Sequence, residues 1–210
     1  VTGRANTATR RETPAEEAGW RWLTAAPAPY PTAHLQARHE LDVMCSLILA
    51  DPTAVPSLQQ LIDSDHHHPE GALVLGVLLR MTGYLDGAQF WWQFSAGGGS
   101  YTAASCLCLF HQSLGEPGDA DHWRREADDL ARSPRPAGRT PDTPQPLVPR
   151  AVRTDLLSRC QDGLDVRLPP RMAAVVKSLP VTGEDDQHPE IPLVGPDLVH
   201  QLRNAGRLCW

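Results

Sequence analysis

From residue 35 onward the apolar positions recur at a helical period. Leu41, Met44, Cys45, Ile48 and Leu49 fall at i, i+3, i+4, i+7 and i+8, one face of a helix. Asp51-Pro52-Thr53 interrupts the run, since proline disfavours helix at the residue before it and suits the first turn of the next helix. Val55, Leu58, Leu61 and Ile62 line a second helix, which gives way to the polar stretch SDHHHPE. Gly71 to Met81 is apolar almost all the way round, the mark of a helix covered on more than one side. Gly83 ends it, and Asp86 to Phe94 begins another that stops at Gly97-Gly98-Gly99. Ala103 to His111 is again apolar on most sides, Gly115 to Asp119 forms a turn, and Ala120 to Leu130 is charged and suited to a solvent-facing edge.

Residues 132–150 read RSPRPAGRTPDTPQPLVPR, a proline density that favours an extended linker. Beyond it lie three short helix candidates, Ala151 to Cys160, Pro170 to Leu179 and Asp197 to Ala205. Before the helical region, residues 1–34 form an arm, polar at first and then rich in Ala and Pro, with Trp20 and Trp22 in a short candidate helix. The expected organisation is therefore an N-terminal arm at 1–34, a helical domain at 35–131, the linker at 132–150 and a C-terminal segment at 151–210. The 20 prolines and 41% hydrophobic content imply an ordered core of roughly 100 residues, because proline-rich polar flanks bury too little to offset ordering entropy.

Recurrence narrows the fold. At an offset of 32, Ala72 matches Ala104, Leu75 matches Leu107, Gly83 matches Gly115, Ala88 matches Ala120 and Trp91 matches Trp123. Alanines lie where helices approach closely and glycines where the chain turns. A degenerate third unit lies upstream, an expected extra hairpin over residues 36–64, with Asp51 at the turn and Pro56 at the alanine position. The series Ala72-x-x-Leu75-Gly76, Gly83, Asp86, Ala88-x-x-Trp91-Trp92, Ser95-Ala96, Gly99 resembles Sel1-like repeats, relatives of the tetratricopeptide (TPR) class, over about residues 70–127; Cys108 stands where the pattern has glycine. The resemblance implies an all-α fold, a short stack of about three antiparallel helical hairpins, and an adaptor or regulatory module that holds a protein or peptide partner. At least about three such units are needed to close a core.

Charge and chemistry modify this picture little. The net charge of -6 lacks the basic excess of a typical nucleic-acid-binding domain. Residues 131–160 are locally basic, with six arginines against two aspartates. Arg132, Arg135 and Arg139 are accordingly candidates for nucleic-acid contact in a transcription-related regulator, set against a solvated linker. Lys177 is the only lysine; with the abundance of Ala, Arg, Pro and Gly this points to a GC-rich, bacterial genome. No run approaches the roughly 18 apolar residues that span a bilayer. Five scattered cysteines and the lack of an apolar leader behind Arg10 and Arg11 suggest reduced thiols in a cytoplasm.

Asp63, Asp65, His66, His67, His68 and Glu70 cluster in one loop. Imidazole and carboxylate suit a transition metal, so His66, His67 and His68 are metal candidates in a metal-binding protein or an enzyme centred on this loop, against a solvated loop. Cys106, Cys108 and His111 give C-x-C-x-x-H, but the two cysteines are roughly 200° apart on a helix, and core packing is the simpler account. Phe90, Trp91, Trp92, Phe94 and Trp123 could line an aromatic groove. Trp91 and Trp92 lie about 100° apart on their helix, so one neighbour cannot cover both; Trp91, Trp92, Phe94 and Trp123 are the candidate partner-binding residues. There is no phosphate-binding glycine loop, nucleophile elbow or HExxH, so neither catalytic residues nor a cofactor are assigned. The exposed ends of a short stack would also permit self-association.

Overall fold

The computed structural model describes residues 32–64, 67–132, 147–182 and 191–207. The arm to residue 31, including Trp20 and Trp22, and most of the linker lie outside the described residues. The fold is all-α: α1 (Ala33–Ala50), α2 (Ala54–Asp63), α3 (Pro69–Arg80), α4 (Leu85–Gly97), α5 (Tyr101–Leu114), α6 (Pro117–Arg132), α7 (Arg150–Gln161), α8 (Pro170–Lys177) and α9 (Leu198–Arg207). A two-residue antiparallel pairing, β1 (Val181–Thr182) with β2 (Ile191–Pro192), was not foreseen from the residue pattern. Two residues per strand carry no readable alternation.

The centre is α3. Gly71 through Leu79 are all buried, and α2 and α4 pack along it while α1 crosses it. α5 packs between α4, α6 and α1, and α7 covers the outer side of α1. The pair expected as a hairpin over residues 36–64 turns through only 79°. Asp51 explains the corner: its Oδ1 accepts from the backbone N–H of Thr53 at 2.7 Å and from the Thr53 hydroxyl at 2.5 Å, a local turn that competes with continuation of the helix. α1 is thereby free to lie along α5, where a regular hairpin would lie along α2.

From α3 to α6 the chain repeats a sixteen-residue register. The helices begin at Pro69, Leu85, Tyr101 and Pro117. Ala72, Ala88, Ala104 and Ala120, each at most 1% exposed, make the first backbone bond of each helix, to His68, Tyr84, Ser100 and Glu116. Gly83, Gly99 and Gly115 close three successive helices with positive φ. In each closure the following N–H reaches back five residues, Tyr84 to Leu79 at 3.0 Å, Ser100 to Ser95 at 3.1 Å and Glu116 to His111 at 2.9 Å, the αL ending that glycine permits without a Cβ penalty. The offset of 32 is thus two copies of a shorter unit, obscured in sequence because leucine and tryptophan alternate at positions 75, 91, 107 and 123.

Two tryptophans hold this arrangement. Trp92 is wholly buried and lies on Gly76: a Cβ there would sit 2.5 Å from Trp92 Cδ1 and 3.2 Å from the Ala88 carbonyl oxygen. Phe110 of α5 meets the Trp92 indole edge-on at 6.0 Å. Trp91 faces elsewhere. Its indole N–H donates to the Pro192 carbonyl at 2.9 Å, pinning β2 to α4. The C-terminal segment therefore shares one continuous core with the preceding helices, from Leu41 to Ala205.

Two stability outcomes follow. Trp92→Ala should cost about 3–5 kcal/mol in denaturant unfolding, since it empties a filled core site. Gly76→Ala should cost more than Gly83→Ala: the former drives a methyl into Trp92, whereas a methyl added at Gly83 meets nothing within 4 Å, and that position loses only αL freedom, about 1–2 kcal/mol. Equal losses for the two glycine variants would refute the close-contact account of Gly76.

Candidate functional site

The expected aromatic groove divides on folding. Trp91 is 3% and Trp92 0% exposed, so both are core residues and neither offers a surface to a partner in this conformation. Two different neighbours cover them, α3 with α5 for Trp92 and β2 for Trp91, which resolves the problem of 100° separation. Phe90 and Phe94 remain at 38% and 36% exposure. They stand one turn apart on α4, edge-on to Trp91 with centroids at 5.4 and 5.9 Å. Trp123 is half-buried on α6, packed against the core and edge-on to His122 at 5.0 Å. It lies on a different helix from the phenylalanine pair.

The histidine loop does not assemble a metal site among the described residues. His66 lies outside them. His67 is exposed, its Nδ1 3.3 Å from the Ser64 carbonyl oxygen. His68 caps α3: its Nδ1 accepts from the Gly71 N–H at 3.1 Å, with Pro69 in the first turn. This is a role usually taken by Ser, Thr, Asp or Asn, and it needs a neutral ring. Burial lowers the His68 pKa, partly countered by Glu70. Of the basic candidates, Arg132 ends α6 and pairs with Asp129 at 3.1 Å on a fully solvated face, while Arg135 and Arg139 lie outside the described residues.

Cys45, Cys106, Cys108 and Cys160 are free and buried. Burial raises the pKa of each thiol, that of Cys45 to about 12, so these groups behave as small apolar side chains. The Cys106 thiol lies 3.3 Å from the Met44 sulfur. His111, from the same sequence motif, pairs through Nδ1 with Glu116 at 2.6 Å. His111, Glu116 and Asp119 bring one ligand atom each within 4.8 Å of one another, the only such trio among the described residues. Sequence spacing hid it, because the αL turn at Gly115 folds the end of α5 onto the start of α6.

A polar cavity of about 240 Å³ was not foreseen at all. Arg38 and Asp42 of α1, Arg80 at the end of α3, Asp165 and Arg167 from the α7–α8 connection, and Lys177 of α8 line it. Asp42 meets Arg80 at 3.2 Å with both side chains largely buried, and Asp165 meets the more exposed Arg38 and Arg167 at 2.6 and 3.4 Å. Burial raises the Asp42 pKa, and Arg80 and Arg38 offset it only in part. Buried ion pairs behave this way when desolvation exceeds the Coulombic gain. No spacing rule connects residues 38, 80, 165 and 177; only the return of the chain past α7 brings them together.

A second, more open cavity of about 410 Å³ lies where the start of α1 meets the α5–α6 turn, lined by Ala33, His34, Ala37, Glu40 and Pro117 among others. His34 Nδ1 there is 2.9 Å from the Gln112 carbonyl oxygen. Among the described residues no single helix is long and apolar enough to cross a membrane. Comparison with protein-family models, with curated proteins and with solved structures finds no match to this chain.

The cap at His68 generates a pH dependence. Its folded pKa is depressed, so the unfolded chain binds the proton more readily. The cap's contribution is complete above the unfolded value near 6.5 and is lost as pH falls through the lower folded value. The melting temperature should drop between pH 7.5 and 5.5, and His68→Asn, which caps without titrating, should flatten that part of the profile. An identical profile in the variant would assign the acid loss elsewhere.

Proposed function

We propose that the chain is a protein-interaction module built on helical repeats, serving as an adaptor or regulator, with Phe90 and Phe94 of α4 as its anchor. The sixteen-residue recurrence of helix starts, buried alanines and αL glycines supports a repeat architecture of hairpins from α3 to α6. Exposure of two phenylalanines one turn apart is the observation that carries the reading. Trp91, buried beneath them, supports both rings from one side, so little side-chain freedom is left to lose when a partner covers them. Rigid aromatic anchors of this kind dominate interface energetics. The partner is a protein or peptide segment presenting aliphatic side chains.

The other readings have less behind them. Nucleic-acid contact through Arg132, Arg135 and Arg139 is supported by local charge alone. Metal binding by His66, His67 and His68 competes with the capping role of His68. A second copy of the chain could itself be the partner, since the same ridge would serve an isologous contact.

The test is crosslinked recovery from the native host with the full chain and a Phe90→Ser/Phe94→Ser variant, alongside sedimentation of the purified proteins. Both rings are more than one-third exposed and rest on Trp91, so helix content should hold while the melting temperature falls modestly, and binding is compared well below both transitions. A stoichiometric partner, or a self-associated species, that the wild type forms and the variant loses by tenfold or more in affinity would support the module; about 2 kcal/mol per hot-spot ring is ample for that. A partner held equally by both proteins would remove the ridge as anchor.

A further inference from the structure

We propose that the cavity between α1, the end of α3 and α8 binds a compact dianion of the phosphate class, either the free anion or the phosphate group of a small monoester. The site is separate from the Phe90–Phe94 ridge and does not depend on the function proposed for it.

Charge is the first argument. Arg38, Arg80, Arg167 and Lys177 meet Asp42 and Asp165 around one space, so two positive charges remain after both carboxylates are counted. Asp165 is shared between Arg38 and Arg167, and Asp42 is held by Arg80. Lys177, exposed and the chain's only lysine, makes no ion pair among the described residues. A dianion neutralises the excess.

Donor inventory is the second. The Nε of Arg80 is buried without a hydrogen-bond partner, although its Nη2 is engaged by Asp42. A guanidinium carries donors only, so an oxygen acceptor is what it lacks. The Thr82 hydroxyl already donates to the Leu78 and Leu79 carbonyls and is not the recognition group. Arginines and a lysine converging from different elements match a tetrahedral oxyanion, which accepts from several directions at once.

Size and dielectric complete the case. The cavity, at about 240 Å³, falls below the ~300–1,000 Å³ typical of sites for drug-sized ligands; it is too small to enclose a nucleotide and has room for phosphate with a short substituent. Met81, Val166 and Leu168 form apolar parts of its wall and are themselves buried. They reduce the screening of the charges around it.

The experiment is calorimetric titration and thermal shift of the full chain with inorganic phosphate, glycerol phosphate and succinate, each against sodium chloride at matched ionic strength. Saturable binding of phosphate is expected, and Lys177→Gln and Arg167→Gln should each weaken it about tenfold, the low end for one hydrogen bond to a charged group. Both side chains are exposed, so both variants should fold; Arg132→Gln, on a solvated face outside the cavity lining, should bind as the wild type does. Tighter binding of glycerol phosphate assigns a phosphomonoester, and equal or weaker binding assigns the free anion. The proposal is overturned if matched chloride stabilises as much as phosphate, if neither cavity variant weakens binding, or if succinate binds as tightly.

Discussion

A helix with no face to give to water sets the terms for this fold. Nine consecutive residues of α3, Gly71 to Leu79, are buried, so neighbours must surround it. Glycines allow those neighbours to come close. At Gly76 the missing side chain admits the indole of Trp92, and Trp92 in turn sets the distance between α3 and α4 and gives Phe110 of α5 a surface to meet. In the following unit Cys108 replaces that glycine and Arg124 replaces the tryptophan. A half-exposed arginine does not need the space that an enclosed indole does.

Covering α3 also determines where polar chemistry collects. α3 ends in Arg80, whose charge must be met at the edge of the core, and Asp42 of α1 meets it under partial desolvation. The connection from α7 to α8 then brings Asp165, Arg167 and Lys177 over the same edge. An apolar centre and a charged rim thus arise from one requirement. The four described cysteines follow the same logic: they fill small spaces between α1, α5, α6 and α7, and burial keeps their thiols protonated.

Much of the fold was legible because it is local. The helices among the described residues follow from apolar periodicity and from proline and glycine punctuation, with ends within a few residues of those expected. The fold class follows with them. The sixteen-residue register was present as four alanines and three glycines but was masked by the alternation of leucine and tryptophan, which favours the doubled period. Trp91 and Trp92 illustrate the limit. Their angular separation correctly requires two neighbours, yet nothing local says that residues 191–193 would be the second. Of the α4 aromatics, the ones left at the surface are therefore the phenylalanines beside them.

The sequence alone determined the helices, their boundaries and the need for a covered α3, because each depends on residues within about one turn of one another. The tertiary structure alone decided which aromatics face water, that His68 caps a helix, and that side chains from positions 38, 80, 165 and 177 share one cavity. Those outcomes depend on contacts between distant segments. Their geometry is set by an Asp51 corner, a Gly76–Trp92 contact and a returning chain, acting together, and helical periodicity carries no information about such encounters.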